Sequence, residues 1–102
     1  MVFDPISIAI ALKVIALIIA LTFLTYQLIL DWFLENEELV QSDMDNIAVT
    51  VKELFETGNY VIVQGVFNTR ADKVVAGRKI QAKKVDDKVA ELHRDQILVV
   101  YN

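Results

Sequence analysis

The feature that most constrains this chain is an apolar run near its N-terminus, from Ile6 to Leu30. As an α-helix, these 25 residues would extend roughly 37 Å, which exceeds the roughly 30 Å hydrocarbon thickness of a bilayer. Lys13 is the only charged residue in the run. Tyr26 and Trp32 lie near its C-terminal end, where interfacial aromatic residues are common. The run therefore predicts a single transmembrane helix.

The flanks of the run bear on its processing and orientation. Asp4 is the only charged residue before it, and no small-residue cleavage site follows it, so a cleaved signal peptide is disfavoured. Lys13 alone favours an N-terminus on the inside, but the short acidic tail is easy to translocate. We therefore expect the C-terminal part to form a soluble domain on the cytoplasmic side of a single-pass protein.

One face of the predicted helix is smaller and more polar than the rest. At about 100° per residue, its members fall within about 60° of one another: Ala9, Lys13, Ala16, Ala20 and Gln27. Ala16 and Ala20 form a pair of small residues that would allow another helix to approach closely. The face predicts docking to a second membrane helix and is also compatible with self-association. The alternative is that alanine is simply common in such helices and that Lys13 extends to the interface.

The remainder of the chain predicts an acidic linker and a small domain of the α+β class. Residues 31–58 carry eight acids against one lysine, a net charge of −7, whereas residues 59–102 carry eight basic residues against five acids, a net charge of +3. This asymmetry divides the chain into a transmembrane helix with its flank (1–34), an acidic linker (35–45) and a small soluble α+β domain (46–102).

Hydrophobic periodicity leaves one segment of the domain open between helix and strand. Over residues 46–57, apolar residues recur at helical spacing, but several of them also alternate as in a strand, and TGN could then form a hairpin turn. The helix is favoured because Leu54 and Phe55 are adjacent and Glu53 would interrupt the apolar face of a strand.

The following segments are easier to assign. Residues 60–67 and 73–84 predict two strands of a β-hairpin, residues 86–93 a short helix, and residues 96–101 a final strand. The predicted domain thus consists of a helix, a β-hairpin, a short helix and a last strand.

The residue types present argue against several kinds of chemistry. The chain has no cysteine and one histidine, so thiol catalysis, disulfides and zinc sites built from cysteine are excluded. His93 predicts a cation at a helix end, and Asp86 and Asp87 predict acids at a helix start. We expect no catalytic, metal-ligating or cofactor-binding residues, and the formal charge of −4 disfavours nucleic acid as a partner.

A group of basic residues late in the chain is the main candidate for contact with a protein partner or anionic lipid. Its members are Arg78, Lys79, Lys83, Lys84 and Lys88. The alternative is an ordinary solvated surface that balances the acidic segment.

These features predict a non-enzymatic, single-pass accessory or assembly subunit of a larger membrane protein complex. Energy-transducing complexes commonly carry one-helix subunits, but this is an analogy at the level of architecture. The alternative is a membrane-tethered binding module that regulates a soluble partner through the basic residues. The expected partners are thus the membrane and other protein subunits, with no cofactor.

Overall fold

In the computed structural model, which describes residues 4–102, the apolar run forms three short elements instead of one helix. Helix α1 spans Pro5–Leu12, strand β1 spans Ile18–Leu24 and helix α2 spans Tyr26–Glu35. Within the described residues, no helix has both the length and the apolar character needed to cross a membrane. The predicted transmembrane helix is therefore wrong, and so is the single-pass localisation with a cytoplasmic domain. Residues 1–3 of the predicted segment 1–34 lie outside the described part.

Local capping explains where the apolar run divides. The side chain of Asp4 accepts a hydrogen bond from the Ile6 amide at 3.0 Å and caps the start of α1. Lys13 follows α1 as its C-terminal cap. The side chain of Thr25 accepts from the Leu28 amide at 3.2 Å, so a threonine inside the run begins a second helix.

The rest of the chain adds two short helices and four strands. They are α3 (Glu37–Gln41), β2 (Asn46–Glu56), β3 (Asn59–Asn68), β4 (Lys73–Val85), α4 (Asp87–Leu92) and β5 (Leu98–Val100). The five strands form one mixed sheet in the order β1-β4-β3-β2-β5. β1 is parallel to β4, whereas the β4–β3, β3–β2 and β2–β5 pairs are antiparallel. The architecture is thus an α+β domain built around a mixed five-stranded sheet.

Strand β2 occupies the segment that was predicted to be a helix. Its hairpin turn to β3 contains Gly58 with φ of 83°, a backbone conformation that glycine adopts readily. The pairing register shifts between Lys52 and Leu54, and such an irregularity interrupts the alternation of faces. The helical interpretation of residues 46–57 is therefore wrong, and the strand alternative is confirmed. The bounds of strands β3, β4 and β5 and of helix α4 agree with the predicted segments to within one or two residues.

Helices pack on both faces of the sheet and create two apolar clusters. On one face, Ile8 and Leu12 of α1 pack with Val49, Val63 and Phe67. On the other face, α2, α3 and α4 cover a cluster whose buried members are Leu24, Ile29, Phe33, Ala48, Ile62, Ile80, Ala82 and Val89. Residues from the apolar run contribute to both clusters, so the N-terminal segment is part of the folded core.

Two paired glycines allow α1 and its following turn to approach the sheet. Gly65 of β3 and Gly77 of β4 lie opposite each other in the register. A Cβ atom at Gly65 would lie 2.9 Å from Cδ2 of Leu12, and one at Gly77 would overlap the side chain of Ile15. The absence of side chains at these two positions therefore sets how closely α1 packs.

Candidate functional site

An open groove runs beside α1, on the sheet face that this eight-residue helix covers only in part. Its volume is about 630 Å³, and it is lined by Ile6, Ala9, Ile10, Lys13, Val51, Lys52, Glu53, Leu54, Val61, Lys79 and Ile97. Ile6, Ile10 and Ile97 expose 60%, 61% and 48% of their surface. Large apolar side chains around a concave surface are typical of binding sites for other molecules.

The charged residues at the groove leave a small excess of positive charge. Lys79 Nζ lies 3.4 Å from Glu53 Oε2, and both side chains are largely shielded from solvent. Lys52 directs its ammonium group elsewhere, because it donates a hydrogen bond to the His93 carbonyl at 2.8 Å. Within residues 4–102, Lys13 takes part in no ion pair. The groove therefore combines an internally neutralised pair with one cation that is open to a ligand.

The predicted basic cluster is divided between the two faces of the sheet. Lys79 lines the groove, whereas Arg78 lies on the α2 face, where its guanidinium approaches Trp32. Lys83 and Lys84 are exposed near the end of β4. Lys88 belongs to α4, where its Nζ lies 5.7 Å from the ring centroid of Tyr26. The structure does not gather the five residues into one surface, and their contact with a partner stays a prediction.

Arg78 joins the sheet to α2. Its Nε donates to Gln64 Oε1 at 2.8 Å, and Gln64 Nε2 donates to the Ile29 carbonyl at 2.7 Å. Its guanidinium lies 5.5 Å from the ring centroid of Trp32. Burial lowers the pKa of Arg78 from its ordinary value, and the nearby negative charge of Glu35 partly opposes this shift. An arginine remains charged in proteins, so this group is a fixed cation in the packing of α2.

The residues of the predicted helix-docking face are dispersed over separate elements. Ala9 and Lys13 both line the groove. Ala16 lies in the connection between α1 and β1, and Ala20 lies on β1. Gln27 lies on α2, where its amide donates to Asp31 Oδ1 at 2.8 Å. The common face does not exist, because its residues do not share one helix.

A buried chain of polar side chains was not predicted from the sequence. Thr50 Oγ1 lies 2.8 Å from His93 Nε2 and 2.7 Å from the hydroxyl of Tyr101. His93 Nδ1 lies 2.9 Å from the carbonyl of Gln96. Thr50 and His93 are fully buried, so the chain is closed to substrates and holds α4 and β5 against β2. No sequence motif signals it, because its members are far apart along the chain.

The chemistry of these groups fixes the direction of each hydrogen bond. A carbonyl only accepts, so His93 carries its proton on Nδ1 and donates it to Gln96. In the neutral ring Nε2 then accepts from the Thr50 hydroxyl, which in turn accepts from Tyr101. Burial raises the pKa of Tyr101 to about 12, against the opposing effect of its bond to Thr50.

The protonation state of His93 differs from the sequence prediction. Burial lowers the pKa of His93 from its ordinary value of 6.5, the hydrogen bond to Gln96 raises it, and the charge of Lys52 lowers it. The lowered pKa favours the neutral ring, so the predicted role of His93 as a cation at a helix end is wrong. Asp86 does act at a helix start, since its carboxylate accepts from the amides of Val89 and Tyr26 at 2.9 and 2.8 Å.

The other residues do not form a recognisable chemical centre. Within the described chain, no group of three or more histidine or acidic side chains is placed to hold a metal ion. Comparison with protein-family models, curated proteins and solved structures found no match to this chain. The groove beside α1 is therefore the best candidate for function, on its geometry alone.

Proposed function

We propose that this protein is a non-enzymatic accessory subunit that attaches to a larger protein assembly through the groove beside α1. The observation that supports this proposal most directly is the exposure of Ile6, Ile10 and Ile97 around one concave surface. Isoleucine side chains gain stability when they are removed from water, at about 25 cal/mol per Å² of apolar surface. A partner that covered all three would use this gain as binding energy.

The chemistry of the groove favours a short amphipathic segment of a protein partner. Apolar side chains of the segment would cover the isoleucines, and a carboxylate beside them would pair with Lys13. Lys79 and Glu53 already neutralise each other, so they require no further charged partner. A segment with one acid next to an apolar stripe is therefore the ligand that fits best.

A binding role is preferred over catalysis because of where the reactive groups lie. The one histidine and the threonine that contacts it are fully buried and already satisfied by hydrogen bonds. Binding through a single basic surface is less favoured, because β4 divides the basic residues between two sheet faces. The groove brings apolar surface and an available cation together in one place.

The test uses photo-crosslinking in the cells that produce the protein. The full-length chain carries a photoreactive residue at position 6, and it is combined with either Ile10→Asp or Leu34→Asp. Leu34 is a matched control, because it is 62% exposed, close to the 61% of Ile10, but lies on α2. We expect a discrete protein adduct whose yield falls at least about tenfold with Ile10→Asp and is unchanged with Leu34→Asp.

Three outcomes would contradict the proposal. One is the absence of any protein adduct from position 6. Another is an equal loss of adduct with both aspartate variants, which would indicate a general effect on the protein. The third is flotation of the purified protein with vesicles of anionic lipid that Ile10→Asp abolishes, because the groove would then face a lipid surface.

A further inference from the structure

β1 forms one end of the sheet, and the structure describes no strand on its outer side within residues 4–102. A strand in this position has alternate backbone N–H and C=O groups that point away from its neighbour. The Leu17 carbonyl accepts from the Lys79 amide at 2.8 Å, which directs the backbone of Leu17, and by alternation of Ile19 and Leu21, towards β4. The backbone groups of Ile18 and Ala20 consequently face the open edge. Nearer the end of the strand the alternation changes, because the Leu24 carbonyl also bonds towards the β4 side, accepting from the Asp86 amide at 3.0 Å.

β1 contains none of the residue types that usually prevent an edge strand from pairing. Its residues, IIALTFL, include no charged side chain, no proline and no glycine. The opposite edge of the sheet is different, because β5 is only three residues long. A long, uncharged edge next to solvent is a template for another strand.

We propose that β1 pairs in an antiparallel manner with β1 of a second copy of this chain, and that the two sheets join into one. A two-fold axis at Ala20 would pair the outward N–H and C=O groups of Ala20 in one copy with those of Ala20 in the other. The same axis would place Leu17 opposite Phe23. These two residues are 60% and 48% exposed in the single chain, so pairing would also cover apolar side chains.

The distribution of charge favours a second copy as the occupant. Residues 14–30 contain no charged side chain, although the chain as a whole has a formal charge of −4. Two copies can therefore meet along β1 without placing like charges opposite each other, which would be unfavourable in a paired sheet. This surface is separate from the groove beside α1, whose lining contains no residue of β1.

The experiment places charges at the proposed axis. Ala20→Lys and Ala20→Glu are each purified, and their masses are measured by analytical ultracentrifugation from micromolar to millimolar protein. Ala20 is exposed, so either side chain fits a single chain, but two like charges would face each other across the axis. We expect the unchanged protein to have twice the chain mass of 11.6 kDa and each variant to have a dissociation constant at least about tenfold higher.

Mixing the two variants in equal amounts should restore the double mass, because lysine then faces glutamate. Val100→Lys on the opposite edge is the control and should behave like the unchanged protein. Circular dichroism checks that all variants remain folded. The proposal is overturned if the unchanged protein is monomeric or forms larger aggregates throughout, if Ala20→Lys does not weaken the dimer, or if Val100→Lys weakens it equally.

Discussion

At the residue scale, the buried chain of Tyr101, Thr50 and His93 makes the stability of the protein depend on pH in a way that composition does not suggest. Since the pKa of His93 is lowered on folding from 6.5, the unfolded chain takes up a proton at a higher pH than the folded chain. The neutral, buried His93 ring therefore contributes to the free energy of unfolding. This contribution is complete above pH 6.5 and is lost as the pH falls towards the folded-state pKa.

We therefore expect urea unfolding to show a lower free energy of unfolding at about pH 5 than at about pH 7, with a slope of at most about 1.4 kcal/mol per pH unit for this one group. His93→Gln should remove most of that slope. The carboxyl of Asp43 does not contribute to this slope, because its pKa is lowered from 3.8 and it titrates below the pH range that is compared. An equally steep slope in His93→Gln would assign the effect to other groups.

We expect the hydroxyl of Thr50 to contribute more to the free energy of unfolding than the packing of its methyl group does. In Thr50→Val the ring nitrogen Nε2 of His93 stays buried but loses its donor, and such an unsatisfied group costs about 1–3 kcal/mol. Thr50→Ser keeps the hydroxyl and serves as the control. Denaturant titration should place Thr50→Val well below Thr50→Ser in free energy of unfolding; the reverse order would mean that packing of the methyl group dominates.

At the element scale, periodicity succeeds for some segments and fails for others for physical reasons. β3, β4 and α4 are predicted because their apolar patterns are regular and bounded by turn residues. β2 is misread because the register irregularity after Lys52 gives its apolar residues a spacing that a helix also allows. The groove and the buried polar chain depend on contacts between distant elements, so no local pattern could reveal them.

The apolar run is misread for another reason. A helix in lipid and a succession of short core elements are both rich in Ile, Leu and Val, and hydropathy does not separate them. The distinguishing signals are small: Thr25 caps α2, and Gly65 and Gly77 make room for the segment around Ile15. The glycines lie about fifty and sixty residues away, so their role is visible only once the sheet is formed.

Gly77 should be sensitive to any added side chain. In Gly77→Ala the new methyl group would overlap Ile15, and such overpacking typically costs about 1–3 kcal/mol. Ile15→Ala removes the overlapping atoms, so Gly77→Ala should cost less in that background. Thermal or urea unfolding of the four members of this double-mutant cycle measures the coupling. Additive effects would show that residues 15 and 77 are not in contact.

At the scale of the whole molecule, the sheet joins the apolar run to the C-terminal half of the chain through the pairing of β1 with β4. β1 comes from the apolar run and lies parallel to β4, with Phe23 opposite Lys84 in the register. Parallel neighbours require a crossover connection, which here includes α2, α3 and the β2–β3 hairpin. Residues 5–24 and the C-terminal half are thereby parts of one folded unit.

The register of β1 on β4 predicts a specific disulfide. Paired residues of neighbouring strands lie about 4.8 Å apart, within the range of about 4.4–6.8 Å that a disulfide spans. The chain has no cysteine of its own, so Phe23→Cys with Lys84→Cys creates a single pair. Mild oxidation at low protein concentration should join the two thiols within one chain, which a gel-mobility shift without reductant and a loss of free thiol would detect.

The matched control for this disulfide keeps the same strands but changes the register. Phe23→Cys with Gln81→Cys offsets the thiols by three residues, about 10 Å along β4, beyond the reach of a disulfide. This pair should stay reduced under the same conditions. If both pairs oxidised equally well, or if neither did, the parallel register of β1 and β4 would be wrong. A continuous helix over the apolar run would hold Phe23 away from Lys84, so this measurement separates the two architectures directly.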